Sequence, residues 1–209
     1  MEFYVVIDTN VFVSALLTQN KSSATVRILD YLEKGVIIPM YNEDIIKEYS
    51  EVLRRMKFDI EETRIQDLLA AIKSRGIDCG RISSDVLLPD PDDIVFYEVS
   101  LSRDDSYLVT GNLRHFPKNG KIVSPADLVQ IIALANCPKD VLCEPLGPGY
   151  GTKKEEARLK RFGIIIERIR EQIALSGATD MSLEEINEEI RLARQERRER
   201  QVKQNADNP

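Results

Sequence analysis

An aspartate ends the first apolar segment of the sequence, at a position where α/β proteins usually place their chemistry. Residues 3–8 are mostly β-branched or aromatic up to Asp8, which predicts a buried strand of a parallel sheet. Thr9 and Asn10 follow at once. Because ligands of open α/β sheets bind outside the carboxyl ends of the strands, Asp8 is the first candidate for a functional side chain.

Other acidic or amide side chains stand at comparable positions. Glu48 borders the apolar face of a predicted helix, Asp92 and Asp93 precede another helix, and Asn112 follows a predicted strand. The ends of parallel strands lie on one edge of a sheet, so we expect the first strand end and Asn112 on the same rim.

Carboxylates that converge on one edge repel each other, which costs several kcal/mol in a pocket of low dielectric constant unless a proton or cation intervenes. Ligand sets made only of oxygen atoms suit Mg²⁺ or Mn²⁺. Such ions can activate water and hold a phosphodiester for in-line attack. The residue types therefore indicate metal-assisted hydrolysis.

Each of these residues also has a simpler interpretation when it is taken singly. Asp8 could cap the helix that follows it, and Asp92 and Asp93 could cap theirs. Glu48 could be an ordinary helix carboxylate, and Asn112 could be a turn residue. These alternatives stay open for each residue, and only the combination favours a cation site.

The elements that must position these side chains alternate along the chain. Short apolar strands separated by amphipathic helices predict a mostly parallel sheet with helices on both faces. The predicted strands cover residues 3–8, 36–39, 106–110 and 121–123. The predicted helices cover residues 10–17, 22–34, 42–55, 61–75, 92–102 and 124–135.

Composition narrows the class of protein. The net charge is −6, and all of it falls in residues 1–136. This argues against simple electrostatic adhesion to nucleic acid, but not against a nuclease whose acidic site binds cations. Three cysteines without a CxxC pair favour a cytoplasmic location, and we expect no signal peptide and no membrane span.

The second part of the chain differs in character from the first. We predict a domain at residues 1–136, a linker rich in Pro and Gly at 137–151, and a helical tail at 152–209. The tail contains two helices, at about 153–176 and 182–202, each with a narrow apolar seam. Neither seam can be buried alone, so the tail must pack on the domain, on itself or on a partner.

Four sequence blocks together resemble the PIN-domain family. They are Val-Ile-Asp-Thr-Asn-Val-Phe, Glu-Tyr-Ser-Glu-Val-Leu-Arg-Arg, Asp-Pro-Asp-Asp and Val-Thr-Gly-Asn-Leu-Arg-His-Phe. The resemblance spans about residues 3–135 and is nearest to the toxins of bacterial toxin–antitoxin pairs. It implies a metal-dependent ribonuclease with a three-layer α/β/α sandwich around a five-stranded, mainly parallel sheet, and it implies a homodimer.

The resemblance also implies a set of site residues. Asp8, Glu48 and Asp93 match the three acids of the family and would bind Mg²⁺ or Mn²⁺. Asp92 is the alternative third acid, because the Asp pair leaves the register open by one residue. Asn112 falls where many members carry a fourth acid, which leaves a second metal in doubt.

Neighbouring polar residues complete the expected site. Thr9, Thr110 and Asn112 would orient ligands or contact phosphate, and Asn10 would hold the loop after the first strand. His115 is the only histidine. We interpret it as structural or as an RNA contact, not as a general base.

The sequence leaves three other functions to consider. A phosphatase of the haloacid-dehalogenase type would need an Asp in place of Asn10. A phospho-receiver domain would need acids and a late Lys that the spacing does not supply. The serious alternative is a PIN-like domain that binds RNA or a partner protein with little or no cleavage.

The tail has its own resemblance. Residues 180–187 and the arginine-rich end resemble the C-terminal segments of small bacterial antitoxins, proteins that block such toxins with a basic side chain. Arg194, Arg197 and Arg198 are therefore candidate plugs of the acidic site. The alternatives are that these arginines contact RNA, or that the tail is a solvated helix or a dimerisation arm.

Overall fold

The computed structural model of the protein describes residues 1–136, 153–177 and 181–206. The predicted linker at 137–151 lies outside these ranges. The predicted domain boundaries therefore stay predictions.

A parallel sheet forms the centre of the molecule. Within the described residues it has five strands, in the order β3-β2-β1-β4-β5, and every neighbouring pair is parallel. The strands are β1 (Phe3–Ile7), β2 (Ile37–Tyr41), β3 (Ile77–Asp78), β4 (Ser106–Val109) and β5 (Ile122–Val123).

Helices connect the strands and continue beyond the last one. The described ranges contain eight α-helices: α1 (Thr9–Leu17), α2 (Ala24–Glu33), α3 (Glu43–Leu53), α4 (Glu62–Arg75), α5 (Ile94–Ser100), α6 (Pro125–Ala135), α7 (Lys153–Ser176) and α8 (Leu183–Ala206).

Local sequence explains where several helices begin. Asp8, Asn42 and Ser124 each precede a helix and accept a hydrogen bond from a backbone N–H of its first turn. Ser124 forms a capping box with Asp127, because each residue's side chain accepts from the other's backbone. The N-cap interpretation of Asp8 is thus confirmed, but it does not exhaust what that carboxylate contacts.

The order of the strands creates a crevice beside Asp8. The chain runs from β1 to β2 on one side and later enters β4 on the other, so the strand order reverses between β1 and β4. Ile7 is level with Val109 in this pair, and the backbone N–H of Asp8 donates to the Val109 carbonyl at 2.9 Å. Asp8 and Thr110 therefore leave neighbouring strands at the same height.

The two tail helices pack on the helical layer around the sheet. Helix α7 lies against α1, α2 and α4, and α8 lies against α1 and α3. Both bury one apolar stripe, as the seams in the sequence require. The stripe residues are Phe162, Ile166, Ile169 and Ile173 of α7, and Ile186, Ile190 and Ala193 of α8.

The predicted fold class is confirmed: an α/β fold around a five-stranded parallel sheet, with a C-terminal helical extension. One element differs in detail, because the predicted helix at 92–102 starts as a 3₁₀ turn, Pro91–Asp93, before α5. None of the helices in the described ranges combines the length and apolar character that crossing a membrane requires.

Close packing between β2 and the residue that precedes β3 gives a test of this fold. A Cβ on Gly76 would lie 2.4 Å from the backbone oxygen of Pro39 and 2.8 Å from the Tyr41 ring. We expect Gly76→Ala to lower the free energy of unfolding by about 1–3 kcal/mol, because the strand itself must move. Gly80→Ala, with no atom within 4 Å of its Cβ, is the matched control. Equal denaturant midpoints for both variants would contradict the packing.

Candidate active site

Asp8 is held by neutral donors from the ends of both central strands. Its Oδ2 accepts from the Thr110 hydroxyl at 2.6 Å and from the Asn10 side-chain amide at 2.8 Å. The Asn10 oxygen in turn accepts from the Gly111 backbone N–H at 2.9 Å. Asn10 thus ties the loop after β1 to the loop after β4, and it fixes the carboxylate between them.

Glu48 reaches the same place from α3. The Thr9 hydroxyl donates to Glu48 Oε1 at 2.7 Å, which links this helix to the first residue of α1. Tyr49 strengthens the link, since its hydroxyl donates to the Ile7 carbonyl and its ring stacks on Phe12 with centroids 5.4 Å apart. The sequence predicts that Glu48 borders the apolar face of its helix. In the structure Glu48 is only 2% exposed and therefore lies inside the molecule.

Asp93 is the third buried carboxylate, and it enters from the turn that precedes α5. Its Oδ2 lies 2.9 Å from His115 Nδ1, and the residue is 4% exposed. Asp92 points elsewhere and pairs with Arg198 at 2.7 Å. The structure therefore brings Asp93, and not Asp92, towards the other two acids.

A guanidinium from α8 lies between these carboxylates. Arg194 donates from Nε and Nη2 to the two oxygens of Glu48, at 3.1 and 2.8 Å. Its Nη1 donates to Asp93 at 2.8 Å and to Asp90 at 2.7 Å. With 4% of its surface exposed, Arg194 is almost completely buried among acids.

Sequence reasoning missed the role of Asp90. A signal for it existed, because Asp90 opens the same Asp-Pro-Asp-Asp block that supplies Asp93. The proline after it starts a 3₁₀ turn, and Asp90 caps that turn by accepting from the Asp92 backbone N–H at 3.0 Å. Its second carboxylate oxygen remains available for Arg194.

The other predicted residues lie further out. Arg197 approaches Glu48 and Glu51 at 3.5 Å each, so it borders the acids without entering between them. The side-chain oxygen of Asn112 accepts from Asn187 of α8 at 3.1 Å. The structure thus places Asn112 against the tail and not among the carboxylates.

The electrostatics of the site follow from burial. Burial raises the pKa of Asp8 from 3.8 to about 7, and the neighbouring charge of Asp93 adds to the rise. Burial also raises the pKa of Asp93, although Arg194 and His115 oppose the shift. Within the described residues Asp8 has no ion pair of its own, which leaves its negative charge the least compensated.

The chemistry of the donors suits a hard divalent cation, but their arrangement is organised around the guanidinium. Carboxylate oxygens are typical ligands of Mg²⁺ and Mn²⁺. In the described parts of the chain, however, no three His, Cys, Asp or Glu side chains are spaced to hold a metal ion. Glu48 and Asp93 instead face Arg194 from both sides.

A comparison of the sequence with known protein families identifies the family of this chain. The family model of the PIN domain matches residues 4–114, more than half of the chain. The chain belongs to the PIN-domain family. Neither the comparison with curated proteins nor the comparison with solved structures found a match.

The match divides the site into two parts. PIN domains are generally nucleases that use divalent metal ions, and Asp8, Glu48 and Asp93 all lie in the matched segment. Arg194 comes from outside it. A cavity of about 460 Å³ beside Asp8, Asp93 and Arg194 shows that α8 does not fill the whole crevice of the PIN domain.

The raised pKa of Asp8 predicts how stability depends on pH. The folded protein holds this proton more tightly than the unfolded chain, so its contribution is complete below about pH 3.8 and is lost as pH rises through 7. Asp8→Asn mimics the protonated form. In EDTA we expect the melting temperature of this variant, relative to that of wild type, to rise steadily as pH increases from about 4 to 7 and to stay constant above that.

The matched control for this titration is Asp104→Asn, because Asp104 is a fully exposed carboxylate near Lys121. It should keep the wild-type dependence of melting temperature on pH. The assignment is wrong if Asp8→Asn follows the same curve as wild type between pH 5 and 8.

Proposed function

We propose that this PIN domain is a metal-dependent endoribonuclease that hydrolyses RNA phosphodiester bonds. The observation that carries the proposal is the convergence of three buried carboxylates, Asp8, Glu48 and Asp93, at the crevice between β1 and β4. Bringing buried acids together from three separate elements costs folding free energy, and such clusters are typical of functional sites.

The roles of the residues follow from their contacts. Asp8, Glu48 and Asp93 would hold Mg²⁺ or Mn²⁺ after Arg194 withdraws. When bound, such an ion supplies the positive charge that activates water and offsets the charge developing on the phosphate. Thr110 and Asn10 keep Asp8 in place, and Thr9 does the same for Glu48.

His115 fits a positioning role better than that of a general base. Its Nδ1 is engaged with Asp93, so the imidazole fixes the direction in which that carboxylate points. The mechanism needs no Ser/His/Asp or Cys/His pair, and Cys79 lies at the end of β3 beside the Ile77 carbonyl.

Helix α8 is the proposed inhibitor of this nuclease. Arg194 occupies the space among the acids, so the guanidinium and a divalent cation cannot be bound there together. This contact supports a toxin of the toxin–antitoxin type whose blocking segment belongs to the same chain. A separate antitoxin and a homodimer are further expectations from the family resemblance.

Cleavage of RNA is the direct test. We expect full-length Arg194→Ala to cut a mixed single-stranded RNA pool in the presence of Mn²⁺ and to lose this activity in EDTA. Adding Asp8→Asn should lower the rate by about 100-fold or more, because a carboxylate ligand is lost. If the RNA is bound but equally intact with both proteins, the domain is an RNA-binding module and the nuclease proposal fails.

The inhibitory role of α8 is tested by comparing two arginines of this helix. Removing one partner of a buried ion pair costs about 3–5 kcal/mol, so Arg194→Ala should loosen α8 and raise the initial rate at least about tenfold over wild type. Arg191→Ala is the matched control, since Arg191 contacts Glu188 and Gln195 of its own helix. Equal rates for the two variants, both still folded, would rule out inhibition by Arg194.

A further inference from the structure

A second group of charges joins α8 to the PIN domain beyond the acidic site. Glu189 and Glu196 of α8 both pair with Arg55, at 3.1 and 2.6 Å. Glu189 also pairs with Lys57 at 3.4 Å. Helix α8 therefore places two glutamates against cations of the domain. These contacts lie next to the site where Arg194 of the same helix pairs with the buried acids.

Arg55 and Lys57 differ from their neighbour Arg54 in where their partners lie. Arg54 pairs with Glu62 of α4, inside the domain. Every ion pair that the described residues make with Arg55 or Lys57 goes to α8. The domain has a net negative charge, yet it contains two neighbouring cations whose anionic partners lie on α8, outside the segment that matches the family.

The position of these cations suits a nucleic acid strand that passes through the acidic site. Arg55 lies two residues beyond the end of α3, the helix that carries Glu48. Glu196, the α8 partner of Arg55, adjoins Arg197, which contacts Glu48 at 3.5 Å, so Arg55 lies close enough to the acids to hold the same strand.

An open cavity lies beside these cations. A cavity of about 550 Å³ lies between the end of α3 and α8, with Arg55, Lys57 and Glu196 in its wall. Glu51 also lines it and is the one carboxylate of α3 there, and its partners Arg197 and Arg200 belong to α8. With Glu51 paired to α8, Arg55 and Lys57 are the groups of the domain in this wall that would attract a phosphate.

We propose that Arg55 and Lys57 form a phosphate-binding subsite for the RNA strand, and that Glu189 and Glu196 occupy it in the closed protein. This inference rests on the proposed ribonuclease function and adds the place where the substrate backbone is held. Helix α8 then imitates both components of the loaded site: Arg194 lies where the metal ion would bind, and Glu189 and Glu196 lie where phosphates would bind.

The test measures RNA binding separately from cleavage. The probe is a fluorescein-labelled single-stranded RNA of mixed sequence, and the protein is full-length Asp8→Asn/Arg194→Ala in buffer with EDTA. Adding Arg55→Ala should raise Kd about tenfold and reduce the slope of log K against log salt by about 0.7, the loss of one phosphate contact. Arg103→Ala is the matched control, because Arg103 precedes β4 and its replacement removes a cation at the amino ends of the strands, away from the acids at their carboxyl ends.

A second variant addresses the same subsite from the side of α8 and leaves the cations intact. Glu189→Gln in the otherwise native chain should tighten RNA binding several-fold, because it removes the anion that competes for Arg55 and Lys57. Glu188→Gln is the control, since Glu188 pairs with Arg191 of its own helix. Melting curves establish that each variant is folded, and if Arg55→Ala does not fold, the Glu189 pair decides the question.

Each outcome decides one of the two proposals. The subsite is overturned if Arg55→Ala and Arg103→Ala weaken binding equally, if Glu189→Gln leaves Kd unchanged, or if the starting variant does not bind RNA. Binding that depends on Arg55 without any cleavage by Arg194→Ala contradicts the nuclease alone. Cleavage with binding that does not depend on Arg55 contradicts the subsite alone.

Discussion

The structure depends on a concentration of buried negative charge at the crevice between β1 and β4. Asp8, Glu48 and Asp93 come from a strand end, a helix and a turn, and all three are almost completely buried. Two like charges 4 Å apart repel by about 4 kcal/mol even at an effective dielectric constant of 20. Such a cluster persists only with compensating charge and hydrogen bonds, and in the described residues no buried side-chain nitrogen or oxygen lacks a hydrogen-bond partner.

The docking of α8 joins this electrostatic requirement to ordinary hydrophobic packing. Ile186, Ile190 and Arg194 follow one another at intervals of four residues, so they lie along one stripe of the helix. The apolar part of the stripe is buried against the domain and fixes the rotation of α8, and this rotation directs the guanidinium at Glu48 and Asp93. The apolar packing therefore directs Arg194 towards the acids. The ion pairs of Arg194 in turn select one docked position of α8 among those that apolar packing alone would allow.

The sequence predicted the fold well where apolar segments are buried on both sides. The buried apolar runs of β1 and β4 identify these strands in the sequence. Strand β3, by contrast, consists of the two exposed residues Ile77 and Asp78 and contains no apolar run. The strand end and the helix face identify Asp8 and Glu48 as candidates, but two adjacent aspartates fit the sequence pattern equally well, so only the geometry of the turn that Asp90 caps separates Asp93 from Asp92. The choice among Arg194, Arg197 and Arg198 was also beyond the sequence, because they continue one stripe and only the docked height of α8 distinguishes them.

Arg194 compensates the acids incompletely, and this bears on whether the closed arrangement can be reversed. The guanidinium satisfies Glu48, Asp90 and Asp93, while Asp8 keeps neutral donors and a pKa raised to about 7. A divalent cation would bring two charges to a smaller volume and could neutralise the fourth carboxylate as well. Because Arg194 and such an ion require the same oxygens, each must weaken the other's binding by an equal factor. In the proposed nuclease, Asp8, which has no ion pair among the described residues, is therefore the feature that would favour exchange of the tail for a metal ion over permanent closure.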